Sequence, residues 1–142
     1  MGYNVAVDGP AGAGKSTIAK LVAKEKGYVE TIYKRKRFLP DINSHNAIVR
    51  GYAERNAINA PIQGSAADII KVAMVRIFNR FETEGLKSKM ILQVHDELNF
   101  NVYKDELEKV KQIVLDEMEN AIKLQVPLIA DCGEGVNWLE AH

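Results

Sequence analysis

The sequence predicts an α+β protein: an α/β layer in which a mainly antiparallel sheet is covered by helices and preceded by a strand, loop and helix. Three observations support this. Short β-branched runs alternate with turn residues, three segments repeat apolar residues at helical spacing, and a Gly-rich loop follows the first run. With 142 residues, 46% of them hydrophobic, the chain is long enough to bury one core. We therefore expect a single domain over 1–142.

The N-terminal segment predicts a strand over 3–8, a loop of sequence GPAGAG and then a helix. Ile18, Leu21 and Val22 are spaced to form one apolar face of this helix. Gly27 is placed to end it as a C-cap, because glycine adopts the left-handed backbone conformation at little cost.

The middle of the chain predicts a hairpin and two helices. GYVETIYKRKRFLP indicates two short strands around a basic turn at 34–37. Ser44 can cap a helix through AIVRGYAERNAI, which Pro61 and Gly64 interrupt before Ser65 and Asp68 form a capping box for a second helix. The predicted core face of this second helix consists of Ile69, Val72, Ala73, Val75, Ile77 and Phe81.

The C-terminal part predicts a second hairpin, another helix and a final strand. KMILQVHDELNFNV places apolar residues on both sides of His95 and Asp96, which we expect at a tight turn. Apolar residues at helical spacing predict a helix over 105–124, and PLIAD predicts a strand over 127–131.

The charge and the cysteine content exclude several classes of protein. The net charge is zero, so bulk charge does not indicate a strongly basic nucleic-acid binder. Residues 1–57 nevertheless carry ten basic and five acidic side chains, or +5, and 58–142 carry −5. The single Cys132 excludes an internal disulfide. No apolar stretch is long enough to span a membrane and there is no secretory signal, so we expect a cytoplasmic protein without a membrane partner.

Residues 9–16, GPAGAGKS, fit the P-loop pattern GxxxxGK followed by Ser or Thr, between a predicted strand and a predicted helix. Gly9, Gly12 and Gly14 let main-chain N–H groups surround phosphate oxygens. Lys15 can reach the β and γ oxygens, and Ser16 can bind Mg²⁺. The motif predicts binding of nucleotide phosphates, with ATP or GTP as ligand. The alternative is a Gly-rich connector.

The longer segment that contains this motif, residues 1–29, closely resembles the start of bacterial cytidylate kinase. Its sequence is MGYNVAVDGPAGAGKSTIAKLVAKEKGYV. The resemblance implies a kinase-like P-loop unit over 1–28. It stops after Val29, because nothing further along resembles the nucleoside-monophosphate site or the arginine-bearing lid of such a kinase.

From Gly27 to His142 the chain resembles the bacterial family A DNA polymerases. The resemblance is carried by GYVETIYKRKRFLPDINS, VRGYAERNAINAPIQGSAADIIK, LQVHDEL and VPLIADCGEGVNWLEAH, in the order of that family. It implies that 29–142 form the C-terminal, palm-like segment of such an enzyme, with DNA primer-template as partner and Mg²⁺ as cofactor.

The resemblance also implies roles for single residues. Asp96 would bind the catalytic metals, with Glu97 as a supporting acid and His95 at the primer end. Arg55, Asn59 and Gln63 would contact the duplex, largely through its minor groove. A carboxylate at a hairpin tip can reach two Mg²⁺ ions without desolvating the sheet, which agrees with this chemistry. Considered alone, these residues also fit a surface turn and a solvated helix face.

A second catalytic Asp and the basic and aromatic residues that grip the triphosphate lie upstream of Gly27 in that family and have no counterpart here. The sequence therefore indicates a single hybrid domain joined at 27–29, by recombination or engineering. Asp8 ends the first predicted strand. It is a weak candidate for the second catalytic carboxylate, the partner of Asp96.

Three functions stay open. The chain is a polymerase palm fragment with little or no nucleotidyl transfer, an ATP- or GTP-binding P-loop module on a polymerase-derived scaffold, or a folded chimera without function. The surfaces that missing polymerase parts would cover also predict a homo-oligomer.

Overall fold

The computed structural model describes residues 15–141, and the chain divides into two compact units, 1–65 and 66–142. The described residues are α+β with antiparallel strand pairs, which confirms the fold class. They form two separate two-stranded sheets instead of the one sheet expected. The predicted strand over 3–8 and the loop that follows it lie outside the described residues. No helix within 15–141 is long and apolar enough to cross a membrane.

The first unit begins with helix α1 (Lys15–Lys26), followed by strands β1 (Tyr28–Glu30) and β2 (Lys36–Phe38). Gly27 ends α1 with a φ of 71°, and its N–H donates to the carbonyl of Ala23, which confirms the predicted C-cap. The two strands pair antiparallel, as predicted. Lys36 and Arg37 lie in β2, so the predicted turn at 34–37 was placed too far along the chain.

The core of the first unit differs from the predicted face of α1. Ile18 and Leu21 are exposed, whereas Ala23 is fully buried. A small side chain lets the helix approach its neighbours closely, and the core is completed by residues that follow in the chain. These core residues are Leu39, Ile42, Ala53 and Ala57.

Helix α2 (Ala47–Thr83) is one continuous helix, so the two helices predicted around Pro61 were wrong. A proline removes one main-chain N–H, but burial of residues before and after Pro61 stabilises the helical path. The hydroxyl of Ser65 donates to the carbonyl of Pro61 instead of capping a new helix. The N-terminal cap is also different: Asn46 Oδ1, rather than Ser44, accepts from the N–H of Ile48 at 2.9 Å.

The second unit contains strands β3 (Lys89–Val94) and β4 (Glu97–Asn101), a 3₁₀ turn (Lys104–Glu106), helix α3 (Leu107–Glu119) and a short helix α4 (Trp138–Ala141). β3 and β4 form the predicted hairpin, with His95 and Asp96 at its turn. Helix α3 is shorter than the predicted 105–124. The predicted strand over 127–131 is absent from the described structure, because a strand needs a pairing neighbour and the N–H of Ala130 instead donates to the carboxylate of Glu119.

The core of the second unit lies where α2 and α3 meet the hairpin. Its partly buried border includes Leu98 and Phe100 of β4. Val75 was predicted in this core but is exposed. The buried residues are Ala73, Ile77, Phe81, Val110, Ile113, Val114 and Ala121.

Candidate nucleic-acid interface and metal site

A polar stripe on helix α2 consists of Arg55, Asn59 and Gln63. These residues follow each other at intervals of four, so they lie on one helix face, and all three are exposed. The guanidinium carbon of Arg55 lies 4.4 Å from the ring centroid of Tyr52, one turn earlier, in a cation–π contact. The structure therefore brings the three predicted DNA-contacting residues together on a solvent-facing surface.

A cavity of about 210 Å³ lies where the β1–β2 hairpin meets the end of this stripe, and we call it the arginine cavity. Its lining includes Arg35, Arg37 and Gln63. The guanidinium of Arg35 donates to the carbonyl of Gly64 at 3.3 Å. A Cβ on Gly64 would lie 2.7 Å from Cγ2 of Thr31, so only glycine allows the hairpin to approach α2 this closely.

The sequence predicted a basic turn at 34–37 and did not place it beside Gln63. The signal that was available is Gly64, because a glycine inside a helix often marks a close approach by another segment. Two guanidinium groups beside a carboxamide can bind phosphate oxygens and base edges. Glu30 also lines the cavity and partly balances their charge.

The β3–β4 turn forms the second candidate site. His95 has a φ of 52°, a left-handed conformation that tightens the turn, and its carbonyl accepts from the side-chain amide of Gln93 at 3.1 Å. Asp96 is exposed at the tip, and Glu97, the first residue of β4, is partly buried. The turn therefore presents one carboxylate to solvent beside a second that the strand holds.

Asp96 and Glu97 supply the hard oxygen ligands that Mg²⁺ prefers. Within 15–141 no group of three or more acidic, histidine or cysteine side chains is close enough to enclose a metal. Magnesium usually keeps several water ligands and uses one or two carboxylates together with substrate phosphates. The hairpin tip therefore fits an open magnesium site that other groups must complete.

The predicted phosphate-binding residues are only partly within the described structure. Gly9, Gly12 and Gly14 lie outside the described residues, and so does Asp8. Helix α1 covers Lys15–Lys26 in the described residues, and Ser16 is exposed on it. The P-loop over residues 9–16 stays a prediction.

The sequence model described as DNA polymerase family A matches residues 16–140. The chain therefore belongs to the family A DNA polymerases. It is 57% identical over 119 residues to DNA polymerase I of Streptococcus pneumoniae and 52% identical over 118 residues to that of Caldicellulosiruptor bescii. These alignments cover 84% and 83% of this chain and 14% of each relative.

A solved structure is also similar: the POL domain of Pol1 from M. smegmatis in complex with DNA primer-template and dNTP. It is 46% identical, with a TM-score of 0.87 over 89% of this chain and 22% of that chain. The present chain thus spans about a seventh of the length of its curated relatives. The family match begins at residue 16, before the joint predicted at 27–29, so it includes most of helix α1, which the sequence alone assigns to a kinase-like unit.

Proposed function

We propose that this chain is the part of a DNA polymerase I palm that contacts primer-template DNA and carries a magnesium-binding carboxylate. The observation that supports it most directly is the exposed Asp96 at the tip of a hairpin in a family A polymerase sequence. Solvent access at that position suits a group that must meet both a metal ion and a nucleic acid.

In this proposal the polar stripe positions the duplex. Arg55 carries a fixed positive charge, and Asn59 and Gln63 can donate to the acceptors that both A·T and G·C pairs present in the minor groove. Such contacts hold the duplex without selecting a sequence, as a DNA-copying protein requires.

At the hairpin tip, Asp96 and Glu97 would hold Mg²⁺ and His95 would contact the primer end. The ion supplies charge neutralisation for the attacking and leaving oxygens of phosphoryl transfer. The second catalytic Asp and the residues that grip the triphosphate, which the family resemblance implies, have no counterpart in this sequence, so we propose that the chain alone transfers nucleotides poorly or not at all.

Fluorescence anisotropy with a labelled primer-template duplex tests the DNA-binding part. Arg55→Ala and Gln63→Ala should each weaken binding by about tenfold. Asn79→Ala, an exposed polar position on the same helix, serves as the control and should bind like the parent. Affinity should fall steeply with added salt, because lysine and arginine release counterions from the phosphates. Salt-independent binding, or equal affinity in all four proteins, contradicts the proposal.

A second candidate function is nucleotide binding at residues 9–16, where the sequence fits the P-loop pattern and Ser16 is exposed on helix α1. Lys15→Ala should weaken binding of fluorescent ATP or GTP by at least about tenfold. Lys26→Ala, at the other end of the helix, is the control. If neither the parent nor the variants bind nucleotide, this function is excluded.

Self-association stays a prediction as well. Large apolar side chains are exposed in the described part of the second unit, among them Ile91, Ile129 and Val136. Light scattering over a range of protein concentrations measures the oligomeric state, and a constant monomer mass contradicts the prediction.

A further inference from the structure

Two aromatic side chains of the first unit are unusually exposed. Phe38, at the end of β2, is 70% exposed, and Tyr52, on α2, is 62% exposed. Both line one groove of about 280 Å³, which we call the aromatic groove. Two large exposed rings at one groove form an apolar patch of the kind that marks a binding surface.

Two arginines lie at this groove or at its rings. Arg37 lines the aromatic groove and also the arginine cavity, so the two sites share this residue. Arg55 lies over the ring of Tyr52. Asp41 also lines the groove and is its acidic member. Aromatic rings interleaved with arginines are the combination by which proteins bind single-stranded nucleic acids.

The ring of Phe38 is held from one side by Tyr28, with 5.8 Å between the ring centroids in an edge-on arrangement. Lys36 in turn lies 4.4 Å over the ring of Tyr28. These contacts fix the orientation of Phe38 while it stays exposed, so a ligand ring meets a surface that is already ordered.

We propose that Phe38 and Tyr52 form a stacking platform for unpaired bases of single-stranded DNA, adjoining the polar stripe. The inference rests on the proposed function, because it extends the same DNA-binding surface from duplex to unpaired template. Every base has a π-face, so stacking tolerates any sequence, and Arg37 and Arg55 supply attraction for the phosphates.

The test compares two labelled oligonucleotides of equal length and charge, oligo-dT and an abasic strand. Both offer phosphates, but only the first offers bases. The parent should bind oligo-dT about tenfold more tightly than the abasic strand. Phe38→Leu/Tyr52→Leu should remove this preference, and Tyr52→Phe should keep it because the ring remains. Ile48→Ala, an equally exposed apolar residue of α2 that does not line the groove, is the matched control.

Duplex binding by the same proteins separates this inference from the proposed function. Stacking predicts that the double leucine variant loses oligo-dT affinity while its duplex affinity and unfolding midpoint stay at parent values. Three results would overturn the stacking platform. The parent binds the two strands with equal affinity, it binds neither strand, or the double leucine variant loses as much affinity for duplex as for oligo-dT. Duplex binding with no oligo-dT preference leaves the proposed function standing and removes only the inference.

Discussion

The ammonium group of Lys24 lies 2.8 Å from Oε1 of Glu54, so an ion pair joins helix α1 to helix α2. Lys20 reaches the other oxygen of the same carboxylate at 3.1 Å. Hydrogen bonds from Lys24 and then Lys20 lower the pKa of Glu54 to about 2. Ala23 lies between these two lysines in the sequence, is fully buried and adds an apolar contact. Helix α1 is therefore part of the core of the first unit.

The ionisation of Glu54 should make the free energy of unfolding depend on pH. The folded pKa of Glu54 is about 2, below its ordinary 4.5, so the unfolded chain binds more protons between these values. Stability is fully present above about pH 4.5 and is lost as the pH falls toward 2. The free energy of unfolding, measured with urea, should fall less between about pH 5 and pH 3 for Glu54→Gln than for the parent. Glu25→Gln, exposed on α1, should behave like the parent, and identical losses in all three contradict the assignment.

Ser88 connects the segments on both sides of the β3–β4 hairpin. It is 1% exposed, and its hydroxyl donates to Glu106 at 2.6 Å and accepts from the N–H of Tyr103 at 3.1 Å. The N–H groups of Lys87 and Ser88 also donate to Glu106, and the bond from Lys87 is the largest cause that lowers the pKa of this carboxyl.

Replacing this serine should leave the part-buried N–H group of Tyr103 without its acceptor and Glu106 without one of its donors. Ser88→Ala should therefore lower the free energy of unfolding by about 1 to 3 kcal/mol in urea titrations. Thr83→Ala, an exposed hydroxyl near the end of α2, is the control. A change of less than about 0.5 kcal/mol for Ser88→Ala, the size of an ordinary surface substitution, contradicts a structural role.

Two glycines of helix α2 should respond oppositely to alanine. A Cβ at Gly64 meets Thr31 at 2.7 Å, whereas a Cβ at Gly51 meets only a guanidinium nitrogen of Arg55 at 3.8 Å. Gly51→Ala should stabilise by about 0.5 to 1 kcal/mol through helix propensity. Gly64→Ala should destabilise by about 1 to 3 kcal/mol through overpacking.

Adding Thr31→Ser to Gly64→Ala removes the colliding methyl group but keeps the hydroxyl that accepts from the N–H of Arg35. The double variant should recover most of the lost stability, as measured by thermal unfolding. If both alanine substitutions raise the unfolding temperature, the hairpin does not approach α2 as described.

Features set by a few neighbouring residues were predictable. The C-cap at Gly27 and the hairpin turn at His95 and Asp96 depend on local backbone preferences, and the structure has both. The continuity of α2 through Pro61 and the missing strand over 127–131 depend on packing and on pairing partners elsewhere in the chain. Sequence patterns report such partners only indirectly, so both predictions failed.

The candidate sites also contain one part that local spacing predicts and one part that depends on packing. Spacing alone places Arg55, Asn59 and Gln63 on one helix face, which the structure has. The meeting of Gln63 with Arg35 depends on how the first hairpin folds back on α2, and no spacing rule connects positions 28 residues apart. Their roles in DNA binding stay predictions until the binding experiments are done.

Primer extension by this chain alone should be undetectable or very slow. Phosphoryl transfer depends on positioned charge, and each positioned group typically contributes about 10² to 10³ in rate. Within the described residues Asp96 and Glu97 belong to no group of three or more acidic, histidine or cysteine side chains that could hold a metal ion, so a metal pair held there would be poorly neutralised.

Extension of a labelled primer with Mg²⁺, and again with Mn²⁺, measures this directly. The parent and Asp96→Asn should give the same background, because removing one carboxylate from an incomplete site changes nothing that reacts. Asp105→Asn, an exposed carboxylate in the 3₁₀ turn, controls for a general loss of negative charge. Extension by the parent that disappears in Asp96→Asn but persists in Asp105→Asn would show that the chain completes its own metal site. Asp8 is then the next residue to replace, because it is the second carboxylate that the sequence offers.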